Sequence, residues 1–152
     1  MKKDGRLSGI LHIILHLAEA KEPVTSERLA RTMNTNPVVV RRVMASLRGR
    51  GFVASTKGHG GGWRLSCDLE ATSLRDIYDA LGAPDCIALT HRNEAPSCLV
   101  EQTVNAALGD AFAEAEALLL RHFEHTTLAE LSADFHTRFT ALQNRKKETS
   151  LD

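Results

Sequence analysis

Between Leu7 and Ala20 the apolar side chains fall at Leu7, Ile10, Leu11, Ile14, Leu15 and Leu17, steps of three and four that lay one apolar stripe along a helix. Lys21-Glu22-Pro23 ends that pattern, because proline donates no hydrogen bond and restricts the residue before it. A second, short helix is predicted over Ser26–Met33, capped by Thr25 or Ser26, with Leu29, Ala30 and Met33 turned inward. Asn34-Thr35-Asn36-Pro37 reads as a turn leading into a helix start, with Asn36 as cap and Pro37 in the first helical position. The third helix reaches Arg50, buries Val39 or Val40 with Val43, Met44 and Leu47, and stops at Gly51.

The texture then changes. Phe52–Thr56 and Trp63–Ser66 are short β-like runs around Lys57-Gly58-His59-Gly60-Gly61-Gly62, the pattern of a hairpin with an extended tip. A fourth helix is expected over Ser73–Leu81, capped by Thr72 or Ser73 and stopped by Gly82. Residues 83–96, with Pro84, Cys86, His91, Asn93 and Pro96, show little periodicity and read as a loop. From Ser97 to His125 runs a long helix with Val100, Val104, Ala107/Leu108, Ala111/Phe112, Ala115, Leu118/Leu119 and Phe123 as its stripe. A last helix covers Thr127–Asn144, and Arg145–Asp152 is expected to fray. The fold class is therefore mainly α with one small β-hairpin.

Composition narrows the class. The 152 residues are 43% hydrophobic and 25% charged, which excludes disordered, collagen-like and disulfide-scaffold chains. The formal net charge is zero, but residues 1–66 carry twelve Lys and Arg against four Asp and Glu, and residues 67–152 carry seven against fifteen. A basic half joined to an acidic half points to a polyanionic partner for the first. No apolar run reaches the roughly 18 residues of a membrane span, and no cleavage site follows the basic start, so a cytoplasmic protein with no membrane partner is expected. Three cysteines at irregular spacing suggest no disulfide framework.

Helix, short helix, four-residue turn, helix and then a hairpin is the winged helix-turn-helix plan, whose third helix enters a major groove of double-stranded DNA. Asn36, Arg41, Arg42 and Arg48 are the candidate base-edge contacts of that helix, and Thr25, Asn34 and Thr35 candidate phosphate anchors. Lys57 and His59 sit where a wing would meet the minor groove, with Gly60 and Gly61 letting the backbone come close. A phosphate-cradling nucleotide loop is excluded at Gly58–Gly62, because strand follows strand and no Lys-Ser/Thr ending is present. Seven histidines form no His-Glu-x-x-His set, and no nucleophile elbow is visible, so no catalytic residues are assigned and an enzyme is not expected. His12 and His16, four apart, read as a pair at the core edge. A winged module that binds protein rather than DNA is the alternative.

Leu29-Ala30, the run Val43-Met44-Ala45-Ser46-Leu47-Arg48-Gly49-Arg50-Gly51-Phe52-Val53 and above all Gly58-His59-Gly60-Gly61-Gly62-Trp63-Arg64-Leu65 carry a resemblance to the Rrf-type family of bacterial transcription regulators, the IscR-, NsrR- and CymR-like proteins. Ser73-Leu74-Arg75-Asp76-Ile77 and Thr127-Leu128-Ala129-Glu130-Leu131 extend it over roughly residues 6–135. The resemblance implies a cytoplasmic homodimer on a palindromic operator, most often as a repressor, with a long helix crossing its partner's. The length and apolar stripe of the 97–125 helix agree, since it overhangs the small domain before it. The resulting organisation is a DNA-binding domain over 1–82, a sensor loop over 83–97, dimerisation helices over 98–144 and a flexible tail over 145–152.

Many members of that family hold a two-iron, two-sulfur cluster on three loop cysteines. Here the loop holds only Cys86 and Cys98, and Cys67, just after the wing, reads as a packed small side chain. The resemblance offers a variant in which two cysteines are completed by a histidine and a carboxylate from the partner's first helix. His12 matches the histidine, but Ser8 stands where the carboxylate would be, with His91 and Glu94 as substitutes by sequence alone. Three readings of Cys86 and Cys98 stand open: a thiol switch that oxidises to a sulfenic acid or a disulfide, an iron–sulfur cluster with mixed ligands, and no sensing role. The first leads, and no cofactor is certain.

Overall fold

The structure, a computed structural model, describes residues 5–84, 86 and 97–149. Six helices and one hairpin follow in order: α1 (Arg6–Glu19), α2 (Ser26–Thr32), α3 (Pro37–Gly49), β1 (Val53–Thr56), β2 (Gly62–Leu65), α4 (Leu74–Ala80), α5 (Leu99–His125) and α6 (Leu128–Thr149). Ile10, Ile14 and Leu17 of the predicted stripe, together with Ile13, which the stripe did not include, form one core with Leu29 and Ala30 of α2 and Val40, Met44 and Leu47 of α3, while Leu7, Leu11 and Leu15 are half-buried. Thr25 Oγ1 accepts from the Arg28 amide at 3.2 Å and Asn36 Oδ1 from the Val38 amide at 2.8 Å, so both expected caps are in place. Gly51 takes φ 83°, which lets the Phe52 amide reach back to the Leu47 carbonyl at 3.0 Å.

The wing pairs antiparallel, with Val53 opposite Leu65, Ser55 opposite Trp63 and Thr56 opposite Gly62. It is held to the helices from its far edge. Val24 exchanges two backbone hydrogen bonds with Trp63, at 3.0 and 2.8 Å, and the buried indole N–H donates to Ser26 Oγ at 2.9 Å. Gly62 lies so close to the Val24 backbone that a Cβ there would come within 2.7 Å of it.

Beyond the wing, Ser73 and Asp76 close a capping box on α4. The start of α6 returns to the same place: the Leu74 amide bonds the Thr126 carbonyl and the Leu128 amide the Thr72 carbonyl, each at 2.9 Å. Leu128 is fully buried. Helix α5 packs on α4, where Tyr78 and Phe123 rings lie 5.9 Å apart. At 1.5 Å per residue its 27 residues span about 40 Å, and none of them is buried within the chain.

One open alternative is settled, and several element ends shift from the sequence expectation. Of the alternatives Val39 and Val40, Val40 is buried and Val39 is 49% exposed. Strand β2 starts one residue earlier, at Gly62, because its pairing begins against Thr56. Helix α5 starts at Leu99, with Cys98 rather than Ser97 as its first flanking residue. The backbone of α6 continues to Thr149, past the expected end at Asn144. Nothing after Leu128 breaks it, and Gln143, Arg145, Lys146, Lys147 and Glu148 all favour helix. Most of the 83–97 loop, with His91 and Glu94, lies outside the described residues.

Candidate nucleic-acid interface

The buried row of α3 leaves a well-defined opposite side. Val38, Arg42, Ala45 and Gly49 recur at helical spacing and are all exposed, Val38 at 56%. This stripe carries one long cation, one branched apolar side chain and two small residues that allow close approach. A guanidinium there can grip guanine O6 and N7, and a valine can meet a thymine methyl. Val38 and Val39 were missed as candidates, because an apolar residue in an amphipathic run reads as core until the phase of the helix is known.

The other predicted residues are not equivalent. Thr25 and Asn36 spend a side-chain oxygen on capping, which leaves the Asn36 amide group as a donor. Asn34 occupies the turn with φ 48°, a conformation asparagine tolerates, and Thr35 is exposed beside it. Arg41 pairs with Glu27 across the α2–α3 corner. Arg48 turns to the wing, donating to Ser55 Oγ at 3.1 Å with its guanidinium 5.9 Å from the Trp63 ring centre, so in this structure it braces the wing. Lys57 and His59 are exposed at the tip. The tip closes through a Gly61 amide bond to the Gly58 carbonyl at 3.0 Å, and a Cβ at Gly61 would strike the Thr56 carbonyl. Gly61 is therefore demanded by the turn itself, whatever the wing touches.

The cysteines lie in contrasting surroundings. Cys67 is half-buried, and burial pushes its thiol up. Cys98 is exposed at the start of α5; no N–H closes a full hydrogen bond to its sulfur, yet the Glu101 amide first and the Val100 amide second hold the thiol below its ordinary range. Cys86 is half-buried within reach of the Tyr78 hydroxyl, which donates to the Pro84 carbonyl at 2.6 Å. Burial and then that thiol push the Tyr78 phenol up to about 12. Under dilute iodoacetamide near neutral pH, Cys98 should alkylate first and Cys67 last; peptide mass mapping over time checks the order. Equal rates at the two sites would remove the electrostatic distinction.

Among the described residues no three His, Cys, Asp or Glu side chains converge. His12, matched by resemblance to a cluster ligand, instead meets His16 with its Nε2 2.9 Å from the other Nε2. Burial first, then His12 and Arg28, lower the His16 pKa, which favours its neutral imidazole. Two thiols alone fall short of the four thiolates an iron–sulfur cluster commonly takes.

A family model described as Rrf2, iron-dependent transcriptional regulator, matches residues 4–134. The chain belongs to the Rrf2 family. YwnA of Bacillus subtilis (strain 168), assigned as an HTH-type transcriptional regulator, is 34% identical over 109 residues, 72% of this chain and 80% of the relative. Two solved structures extend the likeness. One, assigned as a transcriptional regulator from Lactobacillus plantarum, is 28% identical with a TM-score of 0.72 over 95% of this chain and 98% of its own. Staphylococcus aureus CymR in its oxidized form, 21% identical, shares the fold with a TM-score of 0.66 over 87% and 96%. This Rrf2 protein is thus a winged helix-turn-helix transcriptional regulator and not an enzyme. No helix among the described residues is long and apolar enough to cross a membrane.

Proposed function

We propose that this Rrf2 protein acts in the cytoplasm as a homodimer on a palindromic DNA operator, inserting α3 of each copy into successive major grooves and laying its wings on the flanking minor grooves. The observation that carries the reading is the outward stripe of α3, with Arg42 at its centre, in a lobe whose charge is strongly basic. Arg42 would read a base edge; Asn34, Thr35 and Lys57 would anchor phosphates, and Arg48 would hold the wing in register. Bound across a promoter, such a dimer blocks polymerase, and the protein is read as a repressor. Arg42→Ala should weaken binding to a duplex selected from a random pool by about 1–3 kcal/mol, while Lys57→Ala should weaken all duplexes alike. Fluorescence anisotropy checks both; if Arg42→Ala left affinity unchanged, the groove assignment of α3 would be wrong.

The second copy is argued from α5. Leu99, Val100, Val104, Leu108 and Leu118 are exposed on a helix that its own domain covers only in part, with Leu99 at 76%. The same helix of a symmetry mate offers matching apolar surface, and two-fold symmetry sets two α3 helices about one DNA turn apart. Control is read at the α5 start. Peroxide would oxidise the Cys98 thiolate to a sulfenic acid, releasing hydroxide, and a second thiol would condense with it to a disulfide and water. Within one chain Cys86 lies by Tyr78 and Phe123, about 36 Å along α5 from Cys98, so a Cys86–Cys98 bond would join two copies. Cys86 abuts Tyr78, and the Tyr78 ring meets Phe123 of α5 in a tilted contact, so bond formation at Cys86 would bear on the helix that spaces the two heads.

A further inference from the structure

The Arg41–Glu27 pair is hard to explain as a structural staple. Both side chains are about half exposed, 53% and 55%, and ion pairs so solvated contribute little to stability. The two residues nonetheless sit at the corner where α2 meets α3, the part of the fold the DNA-binding reading brings to duplex. Glu27 also favours its ionised form. Its own backbone amide, then the Arg41 side chain, hold its carboxyl below the usual range, and the Thr25 hydroxyl adds a weaker contact. An ionised carboxylate this close to a phosphate backbone is electrostatically costly, so its presence asks for a compensating role.

We propose that Glu27 is a specificity-determining residue of the DNA interface, acting through Arg41, which it orients and neutralises. One guanidinium nitrogen, Nη2, is committed to Glu27, and the fork retains further N–H donors for a base edge. Arg41 therefore enters the groove pre-oriented, and little of its flexibility remains to be lost on binding. The pair as a unit carries no net charge, so it adds nothing to sequence-independent counterion release. Glu27 thus lowers affinity for every duplex and raises the share of binding that depends on sequence. Arg42, on the outward stripe, keeps its full charge. The proposal rests on the DNA-binding reading above and deepens it.

The test uses the full-length protein, a 30-base-pair duplex that the wild type selects from a random-sequence pool, and an unselected duplex of equal length. Glu27→Gln should tighten binding to the unselected duplex and steepen its log–log salt slope by about 0.9, the contribution of one more neutralised phosphate. The advantage of the selected duplex should fall by about fivefold or more. Glu27→Asp keeps the charge but withdraws the carboxylate by one methylene; it should lose discrimination with the slope unchanged. Adding Arg41→Ala to Glu27→Gln should abolish the steeper slope. Wild-type discrimination and slope in Glu27→Gln would overturn the proposal while leaving the DNA-binding reading intact. A wild type that selects no duplex at all would overturn both.

Discussion

Aspartate at Val104 and Leu108 together is expected to yield a folded monomer whose affinity for the selected duplex falls by about a hundredfold or more. The two side chains lie one helical turn apart on the exposed stripe of α5, and neither contributes to the core of its own domain. Placing two carboxylates there leaves the winged domain untouched and, in the proposed dimer, sets four like charges within the two-fold contact. A dimer gains its second head at high effective concentration; a monomer must bind each half-site alone. The thermal transition of the winged domain should persist, sedimentation should report a single chain, and anisotropy should show the loss. A double variant that remained dimeric would place the subunit contact elsewhere.

Trp63→Ala should remove about 3–5 kcal/mol of stability, a large fraction of what a domain this size commands. Trp63 is only 9% exposed and does three things at once. Its backbone bridges Val24, its ring lies beneath the Arg48 guanidinium, and its indole N–H donates to buried Ser26. Truncation empties the space between α2 and the wing and leaves Ser26 Oγ without its donor. Trp63→Phe fills most of the volume and loses the hydrogen bond alone, a change of about 1–3 kcal/mol. Urea denaturation should therefore rank the wild type above Trp63→Phe and Trp63→Ala lowest. If phenylalanine were as damaging as alanine, the Ser26 bond would outweigh packing.

The difference between these two residues' roles explains what the sequence could reveal. Helices α1 to α3 were legible because their core positions recur at helical spacing and because Thr25, Asn36, Pro37 and Gly51 mark their ends locally. The wing was legible from the change of period and its glycines. What stayed hidden is long-range. Ser26 and Trp63 are 37 residues apart and Glu27 and Arg41 fourteen, and no local pattern pairs them. Arg48, read as a groove-facing cation, also contacts Ser55 and the indole, a pairing that only the packed wing shows. Val39 and Val40 are adjacent, so a stripe of either phase fits the sequence, and the fold buries Val40 alone. Helix α6 outran its expected end because charged residues signal solvent exposure, which a helix of good formers readily accommodates.

Hydroxyl-radical footprinting of the selected duplex tests the central claim most directly. Two basic heads carried by a two-fold pair should protect two patches on one face of the DNA, centred about ten base pairs apart. A single protected patch with one chain bound, or no protection at any salt concentration, would contradict it.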